Sequence, residues 1–149
     1  MQRDAQALAE ACAAAMWQGD AASQGLGMCL DAVAPGSAVL SMAVAASMVN
    51  GHGICHGGFI FTLADSAFAF ACNSRNRKTV AQGGSIVFLR PARLGEILRA
   101  EAEERALAGR GGLYDIRVTG GDGRVVAELR GQARETGEVF FPGQDGGDG

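Results

Sequence analysis

NGHGICHGGFIFTLADSAFAFACNS, residues 50–74, contains the most apolar segment of the chain. Positions 59–71 hold thirteen residues, of which only Thr62, Asp65 and Ser66 are polar. This pattern predicts a helix that is apolar nearly all round and must be covered by other elements on most sides. The segment falls well short of the roughly 20 residues that span a bilayer, so we expect a buried helix inside a globular domain.

The sequence on both sides of this helix predicts one further helix and six strands. Residues 4–18 are rich in helix-forming side chains, and Gly19 is a plausible stop. Two apolar stretches within 26–44 flank Pro35-Gly36 and predict a hairpin. After the central helix, alternation of apolar and polar residues predicts strands within 79–90, 96–108, 112–120 and 124–135. Composition at 96–107 favours a helix, but the alternation there favours a strand with one exposed face.

These elements predict an α+β domain in which a strongly curved antiparallel sheet wraps around the central helix. The 149 residues suffice for one domain. We divide the chain into an N-terminal helix at 1–19, a main domain at 20–136 and a tail at 137–149. The tail ends in Gly and Asp residues, and we expect it to be disordered.

Charge and cysteine usage narrow the class of protein. The net charge of −3 comes from 16 acidic and 13 basic residues that are mixed along the chain, so we expect neither a nucleic-acid nor a membrane partner. The four cysteines form no C-x-x-C pair, and the N-terminus has no signal-peptide pattern. We therefore expect a reduced, cytoplasmic protein.

The glycine-rich segment before the central helix supplies the first half of a candidate site. A helix that begins near Gly57 and Gly58 presents unpaired N–H groups and a partial positive charge at that end. Such an end can polarise a carbonyl and stabilise its tetrahedral intermediate. The alternative is that the glycines only make a tight turn into the helix.

Asp65 supplies the second half, because a buried carboxylate needs either a partner or a function. It lies eight residues beyond Gly57, which is about 12 Å along a helix axis, so one helix cannot bring both to one carbonyl. Two antiparallel copies across a symmetric dimer could do so, and the site would then be shared. The alternative is an Asp65 carboxylate that bonds to Thr62, Ser66 or the backbone.

Other polar residues of this segment admit several interpretations. His52, Cys55 and His56 could hold a metal, although they lack a recognised zinc spacing. Cys55 and His56 could form a nucleophile pair, although adjacent residues seldom point at each other. His56 could instead be a hydrogen-bonded residue at the helix start, and Asn50 could cap a turn.

Residues 50–74 are followed by VFLRPARLGEILRAEAEE (87–104), GRGGLYDIRV (109–118) and VVAELRGQARE (125–135). In this order the motifs resemble the hotdog-fold thioesterases of the PaaI type, the phenylacetic-acid-degradation group. The resemblance covers about 20–135. It implies a hotdog fold, homodimers whose sheets join edge to edge, and homotetramers made of two dimers. It also implies hydrolysis of acyl-CoA without a metal or bound cofactor.

The resemblance assigns roles to individual positions. Asp65 matches the catalytic carboxylate, the Gly57 N–H matches the donor that polarises the thioester carbonyl, and Asn50 matches the active-site asparagine. His56 matches the histidine of the HGG motif. Phenylacetyl-CoA and its ring-hydroxylated relatives are the substrates that the resemblance favours.

Substrate-binding residues are expected among basic and apolar side chains. Candidates for the CoA phosphates are Arg75, Arg77, Lys78, Arg90, Arg93 and Arg110. Of these we single out Arg90 and Arg110, together with His56 and Gly58. Phe61, Phe68 and Met48 could line an acyl pocket or simply belong to the core.

Two other functions share the fold. A hotdog protein could bind acyl-CoA without hydrolysis and regulate transcription, but residues 1–19 hold Arg3 as their only basic residue and offer no DNA-reading element. A hotdog enoyl-CoA hydratase would need a paired histidine and carboxylate, whereas HGG with Asp65 matches the hydrolase pattern. Fold alone does not separate these functions.

Overall fold

The structure is a computed structural model that describes residues 2–144. The helices are α1 (Ala5–Gly19), α2 (Ala21–Gly25) and α3 (Gly57–Cys72), with a 3-10 turn at Ala46–Met48. The strands are β1 (Cys29–Ala34), β2 (Ser37–Ala43), β3 (Arg77–Phe88), β4 (Ile97–Ala108), β5 (Gly111–Thr119) and β6 (Val125–Val139). The predicted N-terminal helix, hairpin, central helix and four later strands are confirmed. The short helix α2 was not predicted.

All six strands form one antiparallel sheet in the order β1-β2-β4-β5-β6-β3. The strand that follows α3 therefore lies at the far edge from β1, where β6 is its neighbour. In the ambiguous segment, Leu98, Ala100 and Ala102 are buried, whereas Ile97 and Arg99 point outward. The prediction from alternation is therefore confirmed for β4. Burial of one face of the strand outweighs the helix propensity of its residues.

The sheet wraps around α3, which carries much of the core. The helix residues Ile60, Leu63, Ala64, Ala67, Phe68, Phe70, Ala71 and Cys72 are buried. Phe68 and Met48 belong to this core, so the core alternative holds for both, whereas Phe61 remains exposed. Within the described residues, no helix is long and apolar enough to cross a membrane.

The C-terminal tail differs from the expectation of disorder. Strand β6 continues to Val139, and the buried Asn76 side chain binds the segment that follows it. The amide Nδ2 donates to the Phe141 carbonyl and the Oδ1 accepts from the Phe141 N–H, both at 2.8 Å. These bonds give the backbone of a glycine-rich segment fixed partners. Residues 137–139 belong to a strand, which contradicts the prediction for them, and residues 145–149 lie outside the described residues.

Gly131 on β6 is required for the packing of α3 on the sheet. A Cβ at this position would overlap the Phe68 ring, whose Cδ2 would be 2.8 Å away. Phe68 in turn packs against Tyr114 at a centroid distance of 5.4 Å. Gly131→Ala is therefore expected to lower the free energy of unfolding by about 1–3 kcal/mol through overpacking.

Urea denaturation followed by circular dichroism measures this effect. Gly19→Ala is the matched control, because a Cβ there would meet nothing within 4 Å, and its expected change is within about 0.5 kcal/mol. Equal stability of the two variants would contradict the prediction.

Candidate active site

His56 caps the N-terminus of α3. Its Nδ1 accepts the Gly58 N–H at 2.9 Å, and its carbonyl accepts the Phe59 N–H at 3.0 Å. The interpretation of His56 as a hydrogen-bonded residue at the helix start is thus confirmed. The same bond occupies the Gly58 N–H, and the substrate-binding role of Gly58 stays a prediction.

The Gly57 N–H is different, because no acceptor within residues 2–144 takes it. It lies at the first position of the helix, where the helix dipole places partial positive charge. The Phe88 ring also packs here, and a Cβ at Gly57 would lie 2.9 Å from its Cζ. Only glycine allows this close approach without displacing the ring.

An open groove of about 530 Å³ lies beside this helix end. Its apolar wall consists of Ile54, Ile60, Phe88, Leu89 and Pro91, and Cys55 also contributes. Asn50 and Gly57 provide its neutral polar groups, and Arg90 provides a positive charge. An apolar cleft with a few convergent polar groups is the usual form of a small-molecule site.

Asn50 lines this groove and bonds to the neighbouring turn. Its Oδ1 accepts the N–H groups of His52 at 3.0 Å and Ile54 at 3.3 Å, which confirms that it caps a turn. These bonds use the oxygen and fix the amide plane. Among the described residues no acceptor takes Nδ2, so this donor is available to a ligand in the groove.

Asp65 lies half-buried on α3, and burial raises the pKa of its carboxyl group. The Thr62 hydroxyl donates to the Gly58 carbonyl at 2.8 Å, and the Ser66 hydroxyl pairs with that of Ser23 at 2.8 Å. Within residues 2–144, no donor bonds to the carboxylate. The alternative of an Asp65 satisfied by its neighbours is therefore wrong for these residues.

The structure does not bring Asp65 into the groove of its own protomer. It stands two turns along the helix from Gly57, and it does not line the groove. One turn before it on α3, Phe61 is exposed. Strand β3 exposes Val80 and Val87, each by 55%, on the face of the sheet that points away from α3. Strand β3 also lies at the sheet edge with one side unpaired, which is a surface that proteins usually cover.

The other interpretations of the glycine-rich segment find no support. Burial raises the pKa of the Cys55 thiol, which donates to the His56 carbonyl at 3.6 Å, while the Nδ1 of His56 faces Gly58. The two residues therefore do not form a nucleophile pair. Within residues 2–144, no group of three or more His, Cys, Asp or Glu could hold a metal ion.

The two arginines singled out from the sequence lie at opposite ends of α3. Arg90 lines the groove near Gly57, whereas Arg110 lines a separate cavity of about 150 Å³ together with Cys72. The structure thus does not bring Arg110 to the groove of its own protomer. Two other phosphate candidates, Arg75 and Arg77, are paired with carboxylates at 3.2 and 3.1 Å.

Sequence reasoning assigned no role to Phe88, although it lies within the stretch 87–104 that carries the family resemblance. Its contact with Gly57 joins the end of β3 to the start of α3. The sequence shows only a large aromatic residue near the end of a predicted strand, which does not identify a role. The partner of such a residue depends on tertiary structure and cannot be read from spacing.

Comparisons with known proteins identify the family of the chain. The profile of the thioesterase superfamily matches residues 52–127. The acyl-coenzyme A thioesterase PaaI of Escherichia coli K12 is 42% identical over 123 residues, which cover 83% of this chain and 88% of that protein.

Two solved structures extend the agreement to the fold. That of the E. coli PaaI protein, from the phenylacetic acid degradation operon, has a TM-score of 0.90 at 40% identity and covers 91% of this chain and 99% of that one. The phenylacetic acid degradation protein PaaI of Thermus thermophilus, solved as a mutant, has a TM-score of 0.72 at 37% identity and covers 75% and 96%. By sequence, by fold and by the HGG turn that begins α3, the chain belongs to the thioesterase superfamily as a hotdog-fold thioesterase of the PaaI type.

Proposed function

We propose that the chain hydrolyses acyl-CoA thioesters, with phenylacetyl-CoA and its ring-hydroxylated relatives as substrates, at sites formed between two protomers. The observation that carries this proposal is the unpaired Gly57 N–H at the positive end of α3, which borders an apolar groove. A donor in this position stabilises the oxyanion that forms when a thioester carbonyl is attacked. The Nδ2 of Asn50 is the second donor in the same groove.

Asp65 of the partner subunit completes the site. In one form of the reaction it takes a proton from water, whose oxygen attacks the carbonyl carbon. In the other form the carboxylate attacks and gives a mixed anhydride, which water then hydrolyses. In both forms the C–S bond breaks, CoA leaves with the electron pair as a thiolate that takes up a proton, and the acyl group becomes the free acid. This chemistry requires no metal or bound cofactor.

The shared site follows from distances within one protomer. Gly57 and Asp65 are separated by about 12 Å of helix, and one small carbonyl group cannot span that distance. A two-fold axis that pairs β3 with its copy would bring the exposed face of α3 against the same face of the partner. It would also pair the free edge of β3, which residues 2–144 of one protomer leave without a neighbouring strand. Assembly of two such dimers into a tetramer is part of the proposal.

The substrate preference rests on the similar E. coli protein and on the character of the groove. The wall of five apolar residues suits an aryl group. Arg90 is the groove residue suited to a CoA phosphate, since no carboxylate of residues 2–144 pairs with it. The ring nitrogen Nε2 of His56, which bonds to no group of the described chain, can contact the substrate as well.

Release of free thiol from a panel of aryl and aliphatic acyl-CoAs tests the proposal. We expect fast hydrolysis of phenylacetyl-type thioesters that survives dialysis against EDTA. Folded protein that binds acyl-CoA but releases no thiol would overturn the proposal in favour of a non-catalytic binding protein. Hydration of an enoyl-CoA without thiol release would instead favour the hydratase.

Mixed dimers test whether the site is shared. Asp65→Ala subunits lack the carboxylate, and Gly57→Pro subunits lack the N–H donor. In a mixed dimer one site loses both groups and the other keeps both, so an equal mixture is expected to recover about a quarter of wild-type activity under random pairing. Thiol release is measured after subunit exchange, with exchange verified by mass spectrometry on tagged subunits and assembly by light scattering. No recovery after verified exchange would contradict a shared site.

A further inference from the structure

The Phe88 ring forms the part of the groove wall that borders the Gly57 N–H. Three of its carbons, Cζ, Cε2 and Cε1, would lie 2.9, 3.2 and 3.3 Å from a Cβ at Gly57. Because a Cβ lies about 2.5 Å from its own backbone nitrogen, the ring edge is within about 5.5 Å of that nitrogen. A carbonyl oxygen bound to this N–H therefore places its substituents within reach of the ring.

The ring is also available to a ligand. Phe88 is 48% exposed although it packs against Gly57. It shares the groove wall with Ile54, Ile60 and Pro91, none of which carries a polar side chain. An exposed aromatic ring set in an apolar wall next to a polar donor is suited to a substrate that is apolar beside a carbonyl.

A thioester carbonyl has two substituents, the acyl group and the sulfur of the CoA arm. The arm carries an amide close to the sulfur, and burial of an amide against an aromatic ring without a hydrogen-bond partner is unfavourable. An arylacetyl ring stands one methylene from the carbonyl, and aromatic pairs gain from offset or edge-to-face packing. The acyl side therefore matches the Phe88 ring better than the CoA side.

We propose that Phe88 determines acyl-group specificity, because the aryl ring of an arylacetyl thioester packs against it while the carbonyl binds the Gly57 N–H. This inference rests on the proposed thioesterase function and extends it to a residue that selects the substrate. Phe88 contacts the acyl group and takes no part in the transfer of protons or electrons.

The test compares kcat/KM for phenylacetyl-CoA with kcat/KM for butyryl-CoA by thiol release. Phe88→Leu keeps an apolar side chain but removes the ring, and we expect it to lower the phenylacetyl-to-butyryl ratio by about fivefold to tenfold. Phe88→Tyr keeps the ring and is expected to retain the ratio within about twofold. Leu94→Ala is the control, since Leu94 is an exposed apolar residue that does not line the groove.

The outcomes distinguish a failure of the role proposed for Phe88 from a failure of the proposed thioesterase function. Wild-type hydrolysis with an unchanged ratio in Phe88→Leu would overturn the role of Phe88 alone. An equal loss for both substrates would also overturn it, because it would indicate contact with the CoA arm that all substrates share. A changed assembly state in Phe88→Leu by light scattering would reassign Phe88 to the subunit interface. Wild-type protein that hydrolyses neither thioester would overturn both proposals.

Discussion

Replacement of Asp65 by Ala is expected to lower kcat/KM for acyl-CoA hydrolysis by about 10³-fold, the usual size of the contribution of a positioned base. The structure leaves the Asp65 carboxylate without a hydrogen-bond donor within residues 2–144, while Thr62 and Ser66 bond elsewhere. A carboxylate kept unpaired on a largely apolar helix is costly. Such a group is more readily explained by catalysis than by packing.

Asp65→Asn tests the charge specifically, because it keeps the shape of the side chain and removes its charge. Thiol release over a pH range should show the same loss as in Asp65→Ala. In the wild type, the carboxylate is the active form and burial raises the pKa of Asp65. The rate is therefore expected to fall as the pH drops through a pKa that lies above the ordinary value for aspartate. Wild-type rates in either variant would contradict the assignment.

Measurements of folding stability test the role of Asp65 independently of activity. A carboxyl group whose pKa is raised in the folded state contributes stability below its unfolded pKa, and that contribution is lost as the pH rises through the folded pKa. At neutral pH the ionised Asp65 is therefore a cost to folding. Asp65→Asn is expected to unfold at an equal or higher temperature than the wild type at pH 7, so lost activity with retained stability would separate a catalytic role from a structural one.

Most of the fold was predictable because its signals are local. The apolar run of α3, the alternation of β4 and the turn at Pro35-Gly36 each lie within a short window. The N–H donor at Gly57 was predictable for the same reason, since the end of a helix follows from where the helix begins.

The features that were missed depend on contacts between distant parts of the chain. The first residues of the tail continue strand β6, and Phe141 bonds to the buried Asn76. Composition alone carries no signal of either contact. Helix α2 is only five residues long, and its Ser23 bonds to the Ser66 hydroxyl, a contact that spacing along the chain does not predict. The arrangement of Phe88 over Gly57 likewise exists only in the folded protein.

Gly57→Pro is expected to lower kcat/KM by about 10²- to 10³-fold relative to Gly57→Ala, the usual effect of removing one oxyanion donor. Proline lacks the N–H but is well tolerated at the first position of a helix. Proline also requires an extended residue before it, and His56 already has φ −61° and ψ 133°. The backbone therefore accommodates the substitution that removes the proposed donor.

Gly57→Ala is the matched control because both variants add a Cβ against Phe88, where 2.9 Å separates it from Cζ. Displacement of the ring is thus common to both, and only the N–H distinguishes them. Thiol release from phenylacetyl-CoA, with circular dichroism to verify that α3 is retained, measures the difference. Equal activity of the two variants would mean that the Gly57 N–H does not bind the oxyanion. The carbonyl would then have to be polarised by Asn50 alone, and Asn50→Ala would become the more damaging substitution.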